Sequence, residues 1–298
     1  MVYIICNKTE LLDYILSGIE NKFEITIINI NDECSFFQRF LRKTIPNYIS
    51  YPQLYLGENL RIVLKKITNN DKVVMIDYTN MNLLKSVSKL VPDRTSKYLW
   101  IWNPLKDENS CHLEKLIRNI KSVNFKICTF DKKDSKKYEL ILLKQFYKMN
   151  QINLKNTPVL NDFYFLGFVK NRLSEIENLK KTLAGFNVLF HVVTEHNQVI
   201  SYAENIENIK NTKCIVDLVQ NGQEGITLRP LEAIAFQKKL LTNNLNIVKE
   251  NFYNPKNIFV LGVDDLKKLG GFLKSDFCVL EDSIIENYDV NTWINKFD

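Results

Sequence analysis

Short apolar runs alternate with helically spaced apolar positions from the first residues onward. Val2–Cys6 is an unbroken apolar run and predicts a buried strand. Glu10–Ile19 then sets Leu11, Leu12, Ile15, Leu16 and Ile19 at helical spacing, and Phe23–Ile30 (FEITIINI) predicts the next strand. The alternation continues with strands at Lys72–Tyr78, Tyr98–Trp102 and Phe125–Phe130, and helices at Leu60–Ile67, Asn80–Leu90, Leu113–Val123 and Lys136–Tyr147. Tyr48–Tyr55 reads as a loop. Gln151–Pro158 is polar, ends in proline and reads as a linker. Beyond it, strands fall at Asp162–Phe168, Val188–Val193, Cys214–Val219, Leu240–Thr242 and Asn257–Gly262. Helices fall at Ser174–Leu183, Tyr202–Ile209, from about Arg229-Pro230, at Asp264–Leu269 with a stop at Gly270-Gly271, and at Glu286–Phe297.

Crossover helices between successive strands favour parallel sheets, so the pattern predicts an α/β chain. The polar break divides it into two Rossmann-like domains, residues 1–155 and 156–280, facing a cleft, with 281–298 as a terminal helix. No GxGxxG turn follows the first strand, so the usual dinucleotide fingerprint is absent there.

Composition narrows the class. The 298 residues are 45% hydrophobic and 25% charged, with 18 Phe and 13 Tyr, which excludes a disordered chain. Six cysteines are scattered without a CxxC pair, as expected of reduced, largely buried thiols in a cytoplasmic protein. The N-terminus does not read as a signal peptide, and no stretch approaches the ~20 apolar residues of a membrane span. Basic residues are dispersed and no recognition motif stands out, which argues against nucleic-acid binding. A net charge of +6 suits an anionic ligand or the anionic inner face of a membrane. Phe36–Lys43 interleaves aromatics with bases and reads either as a half-buried helix with solvated charges or as a patch that meets a membrane or a lipid-linked acceptor.

The most informative stretch is Asn221–Asn244, NGQEGITLRPLEAIAFQKKLLTNN. It lies between two strands and begins as a loop carrying Gly222 and Gly225. A helix N-terminus after a strand offers free amides and a positive dipole end, which suits a phosphate. Glu224 at the loop mouth and Glu232 in the first helical turn either grip sugar and ribose hydroxyls or serve the helix start. Lys170 and Arg172, in the turn after Asp162–Phe168, either neutralise a diphosphate or sit as surface charge. Asn103, just past a strand C-terminus, is an acceptor-side candidate. Asp131 is another, although Asp134 nearby reads equally as a helix cap. No DxD motif and no histidine cluster is found, so neither a metal nor any other cofactor is expected.

The run Glu224-Gly225-Ile226-Thr227-Leu228-Arg229-Pro230-Leu231-Glu232-Ala233-Ile234-Ala235 resembles the Glu-x7-Glu signature of retaining GT-B glycosyltransferases. Its spelling GQEGITLRPLEA, and the run Thr129–Tyr138, resemble a subgroup of bacterial lipopolysaccharide and capsule biosynthesis. The resemblance implies the GT-B fold, in which the terminal helix at 281–298 would cross back to the first domain, a nucleotide-sugar donor and a cell-surface glycan or lipid-linked glycan acceptor. By the same resemblance Glu224 holds the donor sugar and Glu232 the ribose. Gly225, Ile226, Thr227 and Leu228, with Lys170, Arg172 and Arg229, bear the diphosphate without a metal. Ile226 and Thr227 depart from the family pattern, and His112 is the only histidine of the first domain. Two other readings stay open: a GT-B-like nucleotide-sugar epimerase or hydrolase, and a non-catalytic α/β nucleotide-binding module. In a response-regulator-like version of the latter, Asp77 would be the strand-end acid.

Overall fold

The computed structural model describes residues 1–19, 24–44, 51–105, 110–149, 157–169, 172–195, 199–219 and 225–297. The chain divides into two compact units. One comprises Met1–Thr9, Glu20–Lys144 and Ile294–Asp298; the other comprises Glu10–Ile19 and Gln145–Trp293.

The first unit is built on a six-stranded parallel sheet of β1 (Val2–Cys6), β2 (Ile25–Asn29), β3 (Lys72–Ile76), β4 (Ser96–Ile101), β5 (Phe125–Thr129) and β6 (Ile141–Leu142), in the order β2-β1-β3-β4-β5-β6. Parallel strands covered on both faces must be apolar on both, and VVMI of β3 and YLWI of β4 satisfy that, each following a lysine. The core joins Ile5, Val73, Met75 and Leu99 of the sheet to residues such as Leu64, Leu84 and Ile120. Trp100 of β4 is fully buried. The helices are α2 (Phe36–Thr44), α3 (Pro52–Tyr55), α4 (Glu58–Lys66), α5 (Met81–Leu90), α6 (Ser110–Ser122) and α7 (Lys132–Tyr138); α1 (Glu10–Leu16) belongs to the second unit. Asn80 starts α5 by accepting from the amides of Asn82 and Leu83.

The second unit carries a five-stranded parallel sheet of β7 (Asn161–Phe168), β8 (Val188–Val193), β9 (Thr212–Asp217), β10 (Lys239–Thr242) and β11 (Ile258–Val260), in the order β8-β7-β9-β10-β11. Counted within the unit this is 2-1-3-4-5, the doubly wound order whose direction reverses between the first and third strands. Its helices are α8 (Leu173–Thr182), α9 (Tyr202–Lys210), α10 (Leu228–Ala235), α11 (Leu269–Lys274), α12 (Asp282–Glu286) and α13 (Val290–Ile294), the last residue of α13 counting with the first unit. Phe163, Phe165, Val216, Leu241 and Phe259 from the sheet pack with Ile176 and Leu179 of α8. Trp293 stacks on Phe146 with ring centroids 3.9 Å apart.

Several expected elements end elsewhere. The helix expected over 136–147 is α7 instead. Asp131 caps it by accepting from the amides of Lys133 (2.9 Å) and Asp134 (3.0 Å), and Glu139 ends it in a left-handed conformation at φ 53°. Asp134 is therefore not the cap; its Oδ2 accepts the Leu105 amide at 2.7 Å. The Tyr48–Tyr55 loop contains α3, residues 45–50 lying outside the described segments. Gly270 and Gly271 do not stop a helix but sit inside α11, because Leu269 and Leu273 bury one face of it. The tail expected as one helix breaks at Tyr288–Val290. There Tyr147 donates its amide to Tyr288 O at 2.8 Å, and Val290 donates its own to Tyr147 O at 2.9 Å. Most of the expected linker, 150–156, lies outside the described residues.

Candidate functional site

In a parallel sheet of this order, ligands meet the carboxyl ends of the strands where the winding reverses. In the second unit that point lies between the ends of β7 and β9. Arg172 occupies it. Its Nη2 donates at 2.6 Å to the carbonyl of Phe168, the last residue of β7, and its Nη1 donates to that of Leu218, directly after β9. One guanidinium thus ties both strand ends together. Its Nε is buried without a hydrogen-bond partner in the structure. Burial lowers the Arg172 pKa, with the carboxylates of Asp217 and Glu175 opposing that shift. Gly167 gives the guanidinium room, because a Cβ there would stand 3.0 Å from Phe165 Cζ and 3.3 Å from Arg172 Nη2.

The segment after β9 is anchored at both of its described ends. Val219 donates its amide to Asn243 Oδ1 at 2.7 Å and accepts from Asn243 Nδ2 at 3.3 Å. On the far side, Thr227 donates its hydroxyl to Asp217 Oδ1 at 2.9 Å, and Thr242 donates to Asp217 Oδ2 at 3.1 Å. Thr227 is the N-cap of α10, its Oγ1 accepting the Arg229 amide at 3.3 Å. Asp217 is buried, and burial raises its pKa, although Thr227, Thr242 and the nearby Arg229 and Arg172 oppose the rise. Gly225 and Ile226 are buried, while Thr227, Leu228 and Arg229 are partly exposed at the helix start.

Beneath that start lies a polar cluster centred on Glu232. α10 begins at Leu228, so Glu232 falls in the second turn and not the first, too deep to serve as a helix-start acid. It is 1% exposed. Its Oε1 accepts from Tyr202 Oη at 2.8 Å and Asn205 Nδ2 at 3.2 Å, and its Oε2 accepts from Arg229 Nη1. Arg229 also donates to Asn205 Oδ1 and Leu166 O, both at 3.3 Å. Tyr164 donates to Asn205 Oδ1 at 3.0 Å, and the Tyr147 and Tyr202 hydroxyls lie 2.6 Å apart. Burial, reinforced by the Glu232 carboxylate, pushes the Tyr147 and Tyr202 phenols well up, so they are donors at neutral pH. Tyr164 is pushed up to about 12, mainly by burial. For Arg229 burial works downward, but Glu232 outweighs it and the guanidinium stays charged.

The structure thus brings together Arg172, Gly225, Ile226, Thr227, Leu228, Arg229 and Glu232 at one end of one sheet. It pairs Arg229 with Glu232, where the sequence had set one against a diphosphate and the other against a ribose. Glu224 and Lys170 lie outside the described residues. In the first unit, Asn103 is exposed and its Nδ2 donates to Asp77 Oδ2 at 3.4 Å. Asp77 directly follows β3 at a positive φ of 57° and has its pKa raised by burial. Asp131, the other acceptor-side candidate, is buried with its Oδ1 given to the start of α7. Sequence reasoning missed Asp217, Asn243, Tyr202 and Asn205. The signals present were an acid ending an apolar strand, CIVD, and the Asn pair closing LLTNN. Among the described residues no group of three or more His, Cys, Asp or Glu is disposed to hold a metal ion.

No family model and no curated protein matches the chain. Among solved structures it is similar to the spinosyn forosaminyltransferase SpnP, at 9% sequence identity and a TM-score of 0.39, over 98% of this chain and 92% of that one.

Proposed function

We propose that the chain is a glycosyltransferase that binds a nucleotide-activated sugar at the carboxyl end of the β7–β11 sheet. One observation carries the reading. The second glutamate of the Glu-x7-Glu stretch lies on α10, the helix that follows β9, and the end of β9 stands at the reversal point of a doubly wound parallel sheet. The positive end of the α10 dipole and the guanidinia of Arg172 and Arg229 suit a diphosphate, which gains charge as the glycosidic bond breaks. Donors fixed toward that charge stabilise the transition state more than the ground state.

Glu224 is assigned to the donor sugar and Lys170 to the diphosphate. Glu232 is closed in this conformation, so its ribose contact requires the ion pair with Arg229 to part. A diphosphate that draws Arg229 to itself would free Glu232 Oε2 for a ribose hydroxyl. Retention at the anomeric carbon, independence of metal and a cell-surface glycan acceptor rest on the motif's spelling. Asn103, beside Asp77, is the acceptor-side residue of the first unit on this reading, and Asp131 serves there as the cap that shapes the edge.

A thermal-shift panel with UDP, GDP, CMP and ADP tests the proposal. One nucleotide is expected to raise the melting temperature of the wild type. Glu224→Ala is expected to keep that nucleotide's effect but lose the extra shift given by its sugar conjugate, and Arg172→Ala is expected to weaken both. No shift with any nucleotide overturns the reading.

A further inference from the structure

Helix α2, FFQRFLRKT, faces the opposite way from an ordinary surface helix. Its three phenylalanines point out, with Phe36 80%, Phe37 61% and Phe40 51% exposed. Of its two arginines, Arg42 points in and is 8% exposed, next to the buried Leu41. Arg42 Nε donates to Tyr55 O at 2.7 Å, Nη1 to Asn31 Oδ1 at 2.7 Å, and Nη2 to Ile30 O at 3.0 Å and Cys34 Sγ at 2.7 Å.

This rotation is pinned at both ends. At the start, Ser35 and Gln38 form a reciprocal capping box. The Ser35 amide donates to Gln38 Oε1 at 2.9 Å, and the Gln38 amide donates to Ser35 Oγ at 3.1 Å. Gln38 Nε2 also donates to Gln53 O and Leu56 O, which holds α2 against α3. At the end, Asn80 Nδ2 donates to Arg42 O at 2.5 Å. Turning the rings inward would break the arginine's four contacts and leave the Ile30 and Tyr55 carbonyls without that donor. The rings are therefore held in solvent by their own neighbourhood.

Exposed aromatics fixed on one helix face mark a surface that another phase covers. Charge selects the phase. The helix contains no acidic residue, Arg39 is exposed among the rings, and the whole chain carries +6. Tyr51, 62% exposed, precedes the adjoining α3 and adds a ring of the amphipathic type that favours the headgroup layer. At nine residues the helix is far too short to span a bilayer. We infer that α2 lies flat on an anionic lipid surface, with Phe36, Phe37 and Phe40 in the headgroup–acyl boundary and Arg39 on lipid phosphates.

Vesicle flotation with the nucleotide-free full chain tests this, so its outcome is independent of donor binding. Wild-type protein is expected to float with vesicles of phosphatidylcholine and phosphatidylglycerol in equal parts, and much less with phosphatidylcholine alone. Added salt is expected to release it. The triple variant Phe36→Ser/Phe37→Ser/Phe40→Ser is expected to bind roughly tenfold more weakly, or worse, while keeping the wild-type melting temperature. Phe36→Ser alone and Arg39→Gln give smaller losses and keep the test decisive if the triple variant misfolds. Absence of wild-type binding, equal binding to both vesicles, or undiminished binding by the variants overturns the inference. A wild-type dimer that the variants convert to monomer, without vesicle binding, assigns the face to a second copy and overturns it as well.

Discussion

Glu232 and Arg229 hold each other one helical turn apart, and both depend on neighbours from other elements. Removing either leaves the other charged and poorly solvated. Glu232→Ala is expected to lower the unfolding free energy by about 3–5 kcal/mol in a denaturant titration, with Arg229→Met/Glu232→Leu recovering most of that loss. Glu232→Ala alone is therefore a poor probe of ribose binding, since it also weakens the apo protein. Asp217 raises a separate issue. Burial lifts its folded pKa above the unfolded one, so the folded state binds the extra proton in the window just above the ordinary carboxylate range. Its contribution is full below the unfolded pKa and is lost as pH rises through the folded value. Asp217→Asn is expected to gain on wild type as pH rises across that window, measured as the difference between their denaturation midpoints. None of this pairing was legible in the sequence. An Arg and a Glu three residues apart on a helix can face a ligand or each other, and Tyr202, Asn205 and Leu166, from two other elements, decide which.

At the scale of elements, the strands were the easiest to read. Buried parallel strands need no alternation, so VYIIC, VVMI and CIV announce themselves as unbroken apolar runs. Helix ends were harder. The end of α7 is set by Glu139 in a left-handed conformation that nothing in KKDSKKYE requires, and α11 runs through two glycines because tertiary packing outweighs local propensity. The start of α10 illustrates a further limit. Pro230 signals a helix start, but the N-cap is Thr227, chosen because Asp217 at the end of β9 receives its hydroxyl. Thr227→Ala removes the cap and leaves Asp217 with one hydroxyl partner fewer. It is expected to cost about 1–2 kcal/mol, read from urea midpoints, and Thr227→Ser should restore most of it.

Across the whole molecule, the boundary between the units falls in sequence between Lys144 and Gln145, ahead of the polar stretch Gln151–Pro158, and two short segments count with the unit that their flanks do not belong to. Glu10–Ile19 counts with the second unit although its flanks belong to the first, and residues from Ile294 onward return to the first. The reason is local. Tyr14 sets its ring 5.8 Å from that of Tyr147 and 5.4 Å from that of Tyr202, and Glu10 Oε2 accepts the Tyr202 amide at 2.5 Å. At the other terminus, Phe297 meets the ring of Tyr98 edge-on. Periodicity shows that α1 has an apolar face but does not say which core receives it.

The placement of the indoles has a practical consequence. Trp100 is sealed in the centre of one sheet, and Trp293 lies face to face with Phe146 in the other unit. Each half of the chain thus carries a native chromophore in a dry setting. Replacing Trp293 with phenylalanine leaves only the first unit's indoles, Trp100 and Trp102, and replacing those two together leaves Trp293 alone, so melting and ligand response become separable half by half without attaching any dye.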